Sequence, residues 1–159
     1  MTTPKFAPGH GSLPASANRA GFESDHQLLY VARAAHAGGV HVGKYRRGWN
    51  AASISYGGAE IWLDDYEVWY GRLSDSSGGV WNSPDNVGDA VACGHEADLA
   101  PLYAARARVN GSLQLGKWHK GWRAAAIPYG GTELWIERFE VLCSGTYFEG
   151  DPEFSWEQP

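Results

Sequence analysis

Residues 20–70 read AGFESDHQLLYVARAAHAGGVHVGKYRRGWNAASISYGGAEIWLDDYEVWY, and residues 93–143 read CGHEADLAPLYAARARVNGSLQLGKWHKGWRAAAIPYGGTELWIERFEVLC. At a fixed offset of 73, with no gap, 23 of the 51 positions are identical. A repeat of this length organises the whole fold, because each copy is a unit that must bury its apolar face against something. The identities include Gly21/Gly94, Glu23/Glu96, Asp25/Asp98, Arg33/Arg106, Lys44/Lys117, Trp49/Trp122, Glu60/Glu133 and Trp62/Trp135. What one copy does, the other is expected to do.

Within each copy the pattern is that of short antiparallel strands. LLYVARAAHAGGVHVGKY and PLYAARARVNGSLQLGKW each place apolar, β-forming residues on both sides of a glycine turn, which is a hairpin signal. The Gly57-Gly58 and Gly130-Gly131 pairs predict a second hairpin. Alternation over residues 60–63 and 66–69, with Asp64-Asp65 between them, predicts strands separated by a bend or bulge. Helical periodicity is not sustained over ten residues anywhere. The expected fold is all-β: two tandem pseudo-symmetric antiparallel repeats, about four strands each, sharing one compact fold.

Boundaries follow from composition. Residues 1–13 predict an irregular arm, 14–70 the first repeat, 71–86 a Gly/Ser-rich linker, 87–143 the second repeat and 144–159 a tail. Trp81 in the linker is expected to pack on the second repeat. Phe154 and Trp156 in the tail are expected to return to the first repeat or to swap into a neighbouring chain.

The 159 residues suit one domain, or two halves with a common core. Thirteen basic against eighteen acidic residues give a net charge of −5, which lacks the clustered cations that nucleic acid or an anionic membrane surface requires. Eight Trp and eight Tyr leave aromatic surface for ligand contact. The opening residues have no basic stretch followed by an apolar run, and no long apolar segment occurs. A soluble chain, cytoplasmic or released without a signal peptide, is the expectation. Cys93 and Cys143 align with Ala20 and Tyr70, so they are expected to be packed thiols rather than a disulfide framework.

No histidine recurs: His26, His36, His41, His95 and His119 face Leu99, Val109, Gln114, Phe22 and Arg46 in the other copy. A duplicated metal or general-base site built on histidine is therefore not expected, and no cofactor is implied. What recurs is an acid two residues after a glycine, Glu23 or Glu96, and a lysine directly after another, Lys44 or Lys117. A carboxylate accepts hydrogen bonds from vicinal hydroxyls and an ammonium donates to oxygens beside them, so the pair suits a sugar diol. An exposed ion pair of little energetic consequence is the plainer reading. Tyr45 and Trp118, next to the lysines, are the favoured aromatic contacts, with Asp25 and Asp98 as weaker polar candidates. Trp49/Trp122 and Trp62/Trp135 are expected in the core. Glu23 can reach Lys44 only if residues 23–27 fold back as a loop, and it could equally meet Lys117 across the pseudo-twofold axis.

The ordered set AGFE, LYVARA, GK, GW, YGGxE and YEV, repeated as CGHE, LYAARA, GK, GW, YGGTE and FEV, resembles the DM-nine repeat. That resemblance implies an all-β fold of paired repeats and a non-enzymatic, metal-independent lectin for mannose-containing glycans that forms homodimers. It assigns sugar contact to Glu23, Lys44, Glu96 and Lys117. This chain departs from the family pattern in carrying Glu where the family has Asp, which moves the carboxylate outward by a methylene. The rivals are a protein-interaction module with an aromatic surface, a calcium-dependent lectin using Glu23 and Asp25, and a glycan hydrolase pairing Glu23 with Asp25 or Glu60 with Glu67.

Overall fold

The computed structural model describes residues 3–73 and 78–144. The N-terminal arm forms β1 (Lys5–Pro8), and the first repeat forms β2 (Arg19–Phe22), β3 (Leu28–His36), β4 (Gly39–Arg46), β5 (Ala52–Tyr56), β6 (Ala59–Leu63) and β7 (Glu67–Tyr70). The linker contributes β8 (Val80–Asn82) and a 3-10 turn at Pro84–Asn86, and the second repeat forms β9 (Ala92–His95), β10 (Pro101–Val109), β11 (Ser112–Trp118), β12 (Ala125–Tyr129), β13 (Thr132–Ile136) and β14 (Glu140–Cys143). The all-β expectation holds, and each repeat has six strands rather than four, flanked by β1 or β8.

The predicted hairpins form where the turn residues allow. Ala37-Gly38 and Asn110-Gly111 carry positive φ between β3 and β4 and between β10 and β11, and the two Gly-Gly pairs do the same for β5–β6 and β12–β13. Such turns match the twist of the strands they join. Asp64-Asp65 is a bend between β6 and β7.

The repeats are interlocked. Phe22 of β2 pairs with Leu113 of β11, and Val40 of β4 pairs with His95 of β9. Together with the β2–β3, β3–β4, β9–β10 and β10–β11 ladders these pairings close a six-stranded ring, which leaves its members no free edge. Its core takes Ala20, Leu29, Val31, Val42, Trp69 and Leu73 from one repeat and Val91, Cys93, Leu102, Ala104, Leu115 and Leu142 from the other. Gly21 and Gly94 are needed at the crossings: a Cβ on either would fall on the Leu113 or Val40 carbonyl oxygen of the other repeat. Each repeat also keeps a core of its own, around Tyr45 and Tyr66 in the first and around Trp118 and Phe139 in the second.

The N-terminal arm is not irregular throughout, because β1 pairs along β7 and the Phe6 ring lies 3.9 Å from the Arg33 guanidinium carbon. Trp81 does pack on the second repeat: β8 pairs with β14, and the Arg106 guanidinium carbon lies 4.6 Å from the Trp81 ring centre. Thus β1 does for the first repeat what β8 does for the second. Phe154 and Trp156 lie outside the described residues. Both cysteines are buried free thiols, Cys93 pushed up to about 12 and Cys143 to about 11 chiefly by desolvation.

Candidate functional site

β4 and β11 pack against each other where the repeats meet, and each contributes one buried lysine, Lys44 and Lys117. The glycines before them are steric necessities, since a Cβ on Gly43 or Gly116 would collide with the carbonyl oxygen of Ser53 or Ala126 on the neighbouring strand. The lysine is carried where two strands run too close for a side chain.

The loop after β2 folds back, the condition for Glu23 to reach Lys44, with the Glu23 N–H donating to the Gln27 carbonyl at 2.8 Å. Glu23 thereby comes to the Lys44 side, and one side chain from the other repeat lies between them. Lys44 Nζ donates to Gln114 Oε1, and Gln114 Nε2 donates to Glu23 Oε1 at 2.7 Å. Lys44 Nζ also stands 4.0 Å from Glu60 Oε2 and 5.4 Å from the ring centre of Tyr129. Arg46 completes the group, 3.5 Å from Glu23 and 3.1 Å from Asp25. The Asp25 carboxyl is held below the ordinary range by the Gln27 N–H and then by Arg46.

The second site repeats the plan with different atoms. Lys117 Nζ meets His41 Nδ1 at 2.9 Å, donates to the Ser55 carbonyl at 2.7 Å, and lies 5.4 Å from the ring centre of Tyr56. Burial lowers the pKa of both lysines. Glu60 and Glu23 oppose the shift at Lys44, as Glu133 and Glu96 do at Lys117. His41 is lowered to about 4, first by burial and then by the Lys117 charge. It is therefore neutral at pH 7 and accepts the lysine's hydrogen bond.

Each acid thus faces the lysine of its own repeat, while the other repeat supplies the intervening side chain and the tyrosine. The predicted aromatic contacts are not there. Tyr45 is fully buried, donates its hydroxyl to the Trp49 carbonyl and stacks on Tyr66, and Trp118 packs between Tyr103 and Phe139. Neighbours along a strand point to opposite faces, so each follows its lysine in sequence and leaves it in space. Trp62 and Trp135 are not core residues either: they are 50% and 51% exposed, each packed edge-on against Trp49 or Trp122. Asp98 caps its own loop through the Ala100 N–H.

Gln114, His41, Arg46, Tyr56 and Tyr129 were missed as site residues. The two tyrosines recur before each Gly-Gly pair and could have been found by that signal. Gln114 and His41 could not, because agreement between copies was the filter and they differ. Glu60 and Glu133 link the hairpin tips, accepting from Gly131 N–H at 2.9 Å and Gly58 N–H at 3.0 Å. Glu67 is engaged instead by Arg33 at 2.8 Å. Among the described residues, no three of His, Cys, Asp and Glu converge to hold a metal ion, and no helix is long and apolar enough to cross a membrane.

The fold has a solved counterpart. The crystal structure of the nematode sperm cell motility protein MFP2B matches 93% of this chain with a TM-score of 0.68 at 19% identity. The chain spans about half of that protein, 49% of its length. No curated protein matches. Two overlapping stretches, residues 6–63 and 23–136, match the DM9 repeat, and they contain both lysines, both acids and every strand from β2 to β13. The chain belongs to the DM9 repeat family.

Proposed function

We propose that this chain is a non-catalytic carbohydrate-binding module that recognises terminal mannose or a similar hexose through a Glu/Lys pair, without a metal. The observation that carries the reading is that each repeat sets an acid and a buried lysine beside a polar side chain and a tyrosine ring supplied by the other repeat. An ammonium donates to ring or hydroxyl oxygens, a carboxylate accepts from vicinal hydroxyls, and an aromatic face covers the C–H side of a pyranose. Burial strengthens these polar contacts relative to water. Charge-assisted hydrogen bonds contribute about 1.5–3 kcal/mol each. Two of them, less the ordering of the ligand, correspond to roughly millimolar to high-micromolar affinity for a monosaccharide. Useful strength would come from several sites engaging one glycan, and pairing of two chains would supply them.

The test is retention on immobilised mannan. Lys44→Ala combined with Lys117→Ala is expected to abolish retention while the chain stays folded by circular dichroism. Undiminished retention of that folded double variant would end the proposal.

A further inference from the structure

Gln114 and His41 hold the same place in the two repeats, 73 residues apart, and their hydrogen bonds differ in kind. Gln114 is fully buried, and both amide hydrogens and the amide oxygen are engaged: Oε1 accepts from Lys44, while Nε2 donates to Glu23 at 2.7 Å and to Ser112 Oγ at 3.0 Å. Accepting from the ammonium and donating to the carboxylate is what a sugar hydroxyl would do there. Glu23 is further held by Arg46.

His41 also accepts from its lysine, at Nδ1, so the neutral ring carries its proton on Nε2. That buried N–H has no partner among the described residues. The residue matching Ser112 is Gly39, where a Cβ would lie 2.6 Å from the His95 carbonyl oxygen and 3.1 Å from His41 Nε2, so no hydroxyl side chain fits. The imidazole makes no bond to Glu96, whose carboxylate has neither hydrogen bond nor ion pair with any described residue. Ser55 Oγ, on the strand whose carbonyl receives Lys117, is likewise buried without a partner among the described residues.

Resting on the sugar-binding reading above, we propose that the two sites are inequivalent: Gln114 is a built-in occupant that closes the Lys44 site, and the Lys117 site takes the hexose. The first site must break two hydrogen bonds between charged groups and the amide before a ligand can form any. The second offers a free acceptor at Glu96 and an unsatisfied donor at His41, so a ligand oxygen gains bonds without displacing one. His41 is then the residue that sets which half binds.

Isothermal titration of the intact chain with methyl mannoside tests this through the stoichiometry. One site per chain is expected. Gln114→Ala, which vacates the space between Lys44 and Glu23, is expected to raise it to two, and Gln114→His, copying the other repeat, does the same if the alanine variant melts early. His41→Gln, which installs the amide in the second site, is expected to weaken binding at least tenfold. Two equal sites in the intact chain, or a stoichiometry that neither Gln114 variant changes, or a His41→Gln variant that binds as before, overturns the inequivalence while leaving sugar binding in place. Absence of binding in every variant overturns the sugar reading, and the inequivalence falls with it.

Discussion

His41 is 1% exposed, accepts a hydrogen bond from an ammonium, and is held at about 4 where an ordinary histidine sits at 6.5. Its neighbours reinforce this, since Lys117 and then His36 and His95 all disfavour a further positive charge. The unfolded chain takes up the proton first, so the native state is favoured above pH 6.5 and loses that advantage as pH falls from 6.5 toward 4. The slope expected from one proton is about 1.4 kcal/mol per pH unit. Urea unfolding at intervals between pH 7 and 4, with His41→Gln as reference, isolates it. Identical pH profiles for the two proteins would show that the imidazole is not held neutral. At this scale the sequence was legible where the copies agree. Glu23, Lys44 and their counterparts were found because duplication preserved them, and Tyr45 was misread because adjacency along a strand separates two side chains in space. Arg33 and Arg106 illustrate a further limit: identical in sequence and each paired with a glutamate, one pair is half-exposed and the other buried. Their environments differ because β1 and β8, which cover them, are not copies.

Strands β4 and β11 carry the lysines, and their glycines decide how near β5 and β12 can lie. Gly43→Ala puts a methyl group onto the Ser53 carbonyl oxygen, a backbone atom that cannot rotate away. Overpacking of this kind destabilises by about 1–3 kcal/mol and occasionally more. Thermal unfolding should show a lowered midpoint for Gly43→Ala and for its counterpart Gly116→Ala. Gly88→Ala, with nothing within 4 Å and no special φ, should stay within about 0.5 kcal/mol of the parent. Equal midpoints for all three would mean that β4 and β5 are not in such close approach. The hairpins were readable because turn chemistry is local, and Gly-Gly or Asn-Gly between apolar runs states it in two residues. Strands β1, β2, β8 and β9 were not, being three or four residues long with too few positions to show alternation. What makes β2 and β9 strands is also distant in sequence, since each completes its pairing in the other repeat.

The duplication predicted a shared fold without saying how the halves share it. Either repeat could have been a domain with its own closed sheet, and the sequence would look the same. The six-stranded ring instead joins three consecutive strands of each repeat, β2–β3–β4 and β9–β10–β11, at two seams, and its core draws six residues from each half of the chain. Cutting the chain in the 74–77 segment therefore leaves each half with two unpaired ladders and six core residues facing water. Burying such side chains contributes about 1.5–3 kcal/mol apiece for the larger aliphatics, and their sum over one half is comparable to the whole stability margin of a small domain, about 5–15 kcal/mol. Residues 1–73 and 74–159, expressed separately, are expected to be unfolded as monomers by circular dichroism and amide dispersion. Mixing them should restore the native spectrum at one-to-one stoichiometry, and with it the two lysine sites, because each takes its acid and lysine from one half and its tyrosine from the other. Pseudo-symmetry leaves one other escape: a half can pair with a second copy of itself and rebuild the ring as a true dimer. Sedimentation of each half by itself detects this escape, since a self-paired dimer has twice the mass of the half-chain. A half that is folded and monomeric would contradict the interlocked core, and with it the composite construction of both sites.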